Sequence, residues 1–146
     1  MSLDKTQLRD FIRARGLAVV STVSAQGAPE AALVNVAVND DLELVFYAIE
    51  TTRKCANLRR DPRAAAVIGW DGAQTLQFEG SADEPREPEL EALKNLYAQS
   101  RPDAGLQMAW PGLTWFRLRP AWIRFSDYGR SWSVEEMSFP ARKRPR

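Results

Sequence analysis

The chemically capable side chains of this 146-residue chain gather in one short run, Tyr47-Ala48-Ile49-Glu50-Thr51-Thr52-Arg53-Lys54. An alternating strand pattern ends there and a helix begins, with two hydroxyls ahead of it and two cations in its first turn. The first amides of a helix have no intrahelical partners, and the helix dipole adds partial positive charge at that end. Cations are normally unfavourable in such a place. Arg53 and Lys54 beside Thr51 and Thr52 therefore point to an anion, most simply a phosphate. The same residues leave a plain alternative open, in which Thr51 or Thr52 only caps the helix and both cations are solvated.

What is missing narrows the chemistry further. The chain has no histidine, so a Ser-His-Asp triad, a Cys-His dyad and every histidine-bearing zinc site are excluded. One cysteine cannot form an internal disulfide, nor can it supply a thiolate zinc or iron–sulfur centre, and no metal site is expected. Any chemistry must come from carboxylates, Lys, Arg, Tyr, Ser or Thr, or from a bound organic cofactor. Cys55 follows Lys54 and could be an activated thiol; with Leu58 three residues on, a small buried apolar residue is the better reading. Trp110, Trp115, Trp122 and Trp132 fall within 23 residues and serve equally as core filling or as walls for an interface or a planar ligand.

The net charge of +1 hides an uneven distribution. Arg142, Lys143, Arg144 and Arg146 are basic, and the remainder holds 16 basic and 19 acidic residues, a net of −3. A mildly acidic body is a poor footprint for a nucleic-acid binder, so nucleic acid is not an expected partner. No apolar run approaches the roughly 18 residues that span a bilayer. The polar, mixed-charge stretch from Met1 to Arg15 lacks a signal peptide's apolar centre, and a cytoplasmic location is expected.

The elements that must position the Thr-Thr-Arg-Lys run can be read from periodicity. Residues 4–15 form a short helix, with Asp4 and Gln7 as a capping box, Leu8, Phe11 and Ile12 as one stripe, and Gly16 as its stop. Three strand patterns follow as a meander: Leu17 to Ser24, Glu30 to Val38, and Leu42 to Ile49, with turns at Gln26-Gly27 and Asn39-Asp40-Asp41. A helix from Thr52 to Arg60 closes at Asp61-Pro62. Arg63 to Trp70, apolar on both faces, predicts a central or covered strand, and Gln74 to Ala82 predicts a fifth. A helix opens at Pro88 and buries Leu90, Leu93, Leu96 and Tyr97. Two last strands, Thr114 to Leu118 and Ala121 to Ser126, are separated at Pro120. Seven short strands with a few helices read as a β-rich α+β fold, a barrel with helices at its ends. Residues 1–128 form its one domain, and 129–146 a surface or disordered basic tail.

The order Ser21-Thr22-Val23, Gly27-Ala28-Pro29, Val45-Phe46-Tyr47-Ala48, Thr52-Arg53-Lys54, Asn57-Leu58 and Asp61-Pro62-Arg63 resembles the pyridoxamine 5′-phosphate oxidase-like superfamily of split-barrel flavoproteins. The likeness runs from about Leu8 to Asp127 and ends in Phe116-Arg117-Leu118-Arg119-Pro120 and Trp122-Ile123-Arg124-Phe125. It implies an antiparallel split β-barrel of about six to seven strands with short flanking helices. It also implies a homodimer that binds flavin mononucleotide (FMN) at the subunit interface and transfers hydride to or from a small-molecule substrate. By match of motif, Arg53 and Lys54 would hold the phosphate with Thr51 or Thr52, and Tyr47 and Ala48 would line the ribityl chain or ring. Val34, Asn35 and Val36 would approach the ring through backbone groups, and Gln74 or Thr75 would come from the same or the partner subunit.

Two departures qualify the resemblance. The oxidases carry a phosphate-gripping arginine on the second strand where this chain has Ala32, and they end in an arginine–histidine pair that is absent here. Pyridoxamine phosphate oxidation itself is therefore not expected, and no residue stands out as a catalytic acid. Carriage of flavin or haem without turnover, and a deazaflavin in place of FMN, remain as alternatives.

Overall fold

A computed structural model describes residues 3–129 and 132–140. Helix α1 (Lys5–Arg15) opens with the expected capping box, Gln7 N–H donating to Asp4 and Gln7 accepting from the Asp4 amide, and stops at Gly16 with φ +66°. Its Leu8, Phe11 and Ile12 are buried. Strands β1 (Leu17–Val23) and β2 (Pro29–Asn35) form a hairpin, and β3 (Ala37–Val38) and β4 (Leu44–Ile49) form a second. Helix α2 (Arg53–Arg60), β5 (Arg63–Ile68), β6 (Gln74–Asp83) and α3 (Glu89–Ser100) follow. A 3-10 turn (Pro102–Ala104), α4 (Gly105–Met108), β7 (Leu113–Asp127) and β8 (Ser133–Ser138) complete the described chain. Among the described residues no helix is long and apolar enough to cross a membrane.

All of these strands belong to one antiparallel sheet with the path β2-β1-β5-β6-β7-β4-β3, and β8 lies alongside β7. The two ends of the path, β2 and β3, are separated in the chain by Val36 alone, whose N–H donates to the Gly16 carbonyl at 3.0 Å. A sheet whose first and last strands are chain neighbours must curl round, and the result is the split barrel of a β-rich α+β fold. Leu8, Ile12, Val20, Phe46, Ile68, Leu76, Phe78, Phe116 and Ile123 fill it. A second apolar cluster, with Ala37, Val45, Leu93, Tyr97 and Trp115, packs α3 against the outside of β3 and β4.

Several expectations need correction. The first three strand patterns are not a meander: among the described residues β2 pairs with β1 only, and β4 pairs with β3 and β7. The run from residue 30 to 38 keeps one inward phase, with Ala32, Val34, Val36 and Val38 on the same side throughout, so nothing in it marks the point at which the pairing partner changes. The break at Pro120 is absent, and β7 continues through it. Pro120 sits opposite Gly80, where the register shifts by one residue, and a bulge tolerates the missing N–H. The segment read as a surface or disordered tail contains β8, paired from Trp122↔Ser138 to Asp127↔Ser133. Its alternation places Glu135 beside Met137 on the half-buried side, a pattern too polar to read as a strand. Arg142 to Arg146 lie outside the described residues.

Candidate functional site

The strand-to-helix junction at residue 52 forms one wall of the split. Thr52 occupies the N-cap of α2, yet its side chain makes no capping hydrogen bond. Its hydroxyl donates backwards to the Ile49 carbonyl at 2.8 Å. The first helical hydrogen bond runs from the Ala56 amide to the Thr52 carbonyl, so the amides of residues 53–55 keep the open character of a helix start. Thr52 thus holds the N-cap position of the plain alternative, but without a side-chain capping bond.

Opposite this junction stands β2, which terminates the sheet path and, among the described residues, has only β1 as a strand neighbour. Its free edge leaves backbone N–H and C=O groups directed at the gap. Two cavities fill that gap and share Thr52 and Lys54. One, of about 190 Å³, is bounded by Thr22, Glu30, Ala32 and Arg53 as well. The other, of about 230 Å³, is bounded by Val34, Asn35, Tyr47 and Ala48, with Leu33 and Tyr97.

The structure thus brings together Val34, Asn35, Tyr47, Ala48, Thr52, Arg53 and Lys54. Thr51 is exposed in the turn just before them, and Val36 is buried in the core rather than lining either cavity. Gln74 and Thr75 lie elsewhere in the same chain. Gln74 donates to Asp127 at 3.0 Å and borders a separate cavity beneath α1, and Thr75 pairs with Ser126 in the sheet. One protomer therefore does not join these two residues to the helix start.

Periodicity alone missed a polar floor under the junction. Buried Asn57 donates to the Thr22 hydroxyl at 2.9 Å and to Glu30 at 2.8 Å, and Glu30 forms an ion pair of 2.7 Å with Arg53. Arg60 donates to the Val23 carbonyl and to Asn57, tying the far end of α2 to β1. The available signals were Glu30 at an inward position of β2, in phase with Ala32 and Val34, and Asn57 one turn beyond Arg53. Tyr97 was expected on the buried face of α3, and it also lines the cavity beside Tyr47. Its ring lies 5.3 Å from Tyr47 and 5.2 Å from Trp115. Burial, reinforced by the facing Tyr47, pushes the Tyr97 hydroxyl pKa up and keeps it protonated. Among the described residues no cluster of three or more His, Cys, Asp or Glu can hold a metal.

Comparison with known proteins completes this geometry. The family model described as pyridoxamine 5′-phosphate oxidase matches residues 4–127. The chain belongs to the pyridoxamine 5′-phosphate oxidase-like split-barrel superfamily. A haem-binding protein from Mycobacterium smegmatis superposes with TM-score 0.79 at 19% identity, over 94% of this chain and 59% of that one. This chain therefore spans about three-fifths of that protein. HutZ, the haem storage protein of Vibrio cholerae, superposes with TM-score 0.69 at 20% identity, over 82% of this chain and 91% of that one. A putative pyridoxamine 5′-phosphate oxidase from Listeria innocua gives TM-score 0.69 at 17% identity, over 83% and 96%. At these identities the likeness establishes the fold alone. No curated protein matches the chain.

Proposed function

We propose that this split barrel binds FMN in the gap between β2 and the start of α2 and serves as a flavin-dependent oxidoreductase on a small substrate. The observation that carries the reading is the helix start at Thr52 without a side-chain cap, with Lys54 lining both of the adjoining cavities. Lys54, Arg53 and the first amides of α2 hold the phosphate, with the Thr51 and Thr52 hydroxyls beside them. Tyr47 and Ala48 close the wall along the ribityl chain, and the β2 edge at Val34 and Asn35 presents backbone groups to the ring, with Val36 behind them in the core. The flavin, when bound, would supply the hydride chemistry, and no residue of the chain stands out as a catalytic acid. The chain's part is to bind, to orient and to exclude water.

The reading includes a homodimer. Val19 faces Leu33 on one side and Val67 on the other across the outer surface of β2-β1-β5. Leu33 is 59% exposed and Val67 39% exposed. Leu33 also borders the cavity beside Tyr47, so a second copy seated on this face reaches the cofactor, and its Gln74 or Thr75 can complete the site. The single cysteine, Cys55, is buried and free, in keeping with a cytoplasmic protein.

A second reading, carriage of haem or flavin without turnover, draws support from the haem-binding relatives. Without histidine, haem would need another ligand, and the phenols lining the cavity are Tyr47 and Tyr97. A deazaflavin fits the same gap as FMN. The deciding experiment is the absorbance spectrum of the purified protein, with mass identification of the molecule released on denaturation. FMN is the expected product, and haem or deazaflavin would replace the assignment. Arg53→Ala combined with Lys54→Ala should abolish flavin retention while the dimer stays folded; unchanged flavin content would remove the anchor.

A further inference from the structure

The anion corner contains a carboxylate. Glu30 points inward from β2 into the cavity it shares with Thr52, Arg53 and Lys54. Its Oε2 lies 2.7 Å from Arg53 Nη1, and its Oε1 accepts from Asn57 Nδ2 at 2.8 Å. Asn57 is buried and tied in turn to the Thr22 hydroxyl. The carboxylate is thus fixed from below, with its side chain 19% exposed, whereas the Arg53 side chain is 78% exposed and free to turn. Among the described residues Lys54 forms no ion pair. The three charged groups lining this cavity sum to one positive charge, and Ala32 adds none.

We propose that Glu30 is a built-in competitor for the anion and sets the charge selectivity of the corner. The inference rests on the flavin reading for the identity of the ligand but not for its physics. A phosphate monoester brings about −1.5 to −2 charges at neutral pH, nearly twice what the corner offers. To use Arg53, the incoming phosphate must share it with a fixed carboxylate that faces the phosphate across the same cavity, and like charges at that range repel. The corner thus holds a dianion less firmly than its two cations alone would.

The test compares the full-length apo protein with Glu30→Gln, which keeps an acceptor for Asn57 and removes the charge. Calorimetric titrations use FMN, riboflavin and inorganic phosphate. Glu30→Gln should tighten FMN and inorganic phosphate by roughly fivefold or more, the size of one close charge interaction, and leave riboflavin unchanged. Equal affinities in both proteins, or equal tightening of riboflavin, would overturn the inference. If neither flavin binds while phosphate still tightens, the flavin reading falls and the role of Glu30 stands. Should the variant fail to fold, the unaltered protein still decides the question. A preference for FMN over riboflavin below about tenfold agrees with a corner of one net charge, and a preference of several hundredfold contradicts it.

Discussion

Polar side chains at the ends of α2 carry most of the specific electrostatics around the site. At the start, Arg53 and Glu30 neutralise each other over the Asn57–Thr22 floor, leaving Lys54 as the cation that meets both cavities. At the far end Asp61 closes the helix. Its carboxylate accepts from the Arg63 guanidinium at 2.7 and 3.0 Å and from the Arg63 amide at 3.2 Å. The guanidinium first, and the amide second, lower its pKa from 3.8 to about 2. A carboxyl whose folded pKa is depressed contributes stability that is present above its unfolded value and is lost as the pH falls through the folded one. The Asp61 contribution is therefore complete above pH 3.8 and gone near pH 2, and solvent screening keeps it small. Carboxyl chemical shifts followed by NMR should give Asp61 a midpoint near 2, and Arg63→Ala should return it toward 3.8. A midpoint near 3.8 in the unaltered protein would mean that the pair does not form in solution.

The long β6–β7 ladder holds one side of the barrel, and its single register shift is set by Gly80. A Cβ there would lie 2.0 Å from the Arg119 carbonyl oxygen. Glu79 pairs with Trp122 and Gly80 with Pro120, so Ala121 is the extra residue of the bulge. Its carbonyl accepts from the Phe139 amide just beyond β8. Below the bulge, Arg117 on β7 bridges Asp83 and Glu89, and Asp83 raises the Arg117 pKa above its ordinary value. Gly80→Ala should thus cost about 2 kcal/mol or more, since the backbone must move to admit the methyl group. Gly72, around which a Cβ would meet nothing within 4 Å, is the control: Gly72→Ala should stay within about 0.5 kcal/mol. Chemical denaturation measures both, and equal effects would show that the bulge does not depend on Gly80.

At the scale of the whole molecule, the proposed homodimer would use the outer face of β2-β1-β5, where Leu33 and Val67 are exposed. Leu33, Val19 and Val67 form an apolar row flanked by the small residues Ala31, Ser21 and Ala65, a flat patch suited to close approach. Leu33→Glu sets a charge on that row without touching the core. Sedimentation velocity should change from dimer to monomer, and flavin affinity should fall with it because the cavity borders Leu33. A variant that stays dimeric would move the interface elsewhere.

Much of this molecule was legible in its sequence. The capping box at Asp4, the stripe of Leu8, Phe11 and Ile12, the strand periods and the Asp61-Pro62 stop are local, because each depends on neighbours within a turn or a hairpin. The Thr-Thr-Arg-Lys run was visible for the same reason: cations beside hydroxyls at a helix start conflict with the dipole and ask for an explanation. Only the tertiary structure decided how the strands pair, since inward alternation is identical whether β2 lies against β4 or across a gap from it. It alone decided that Pro120 sits within a continuous strand, because the bulge is created by Gly80, forty residues earlier. It also placed Glu30 against Arg53 and Tyr97 against Tyr47. These contacts join positions far apart in the chain, and the closure of the sheet, through the one residue Val36, is what brings them together.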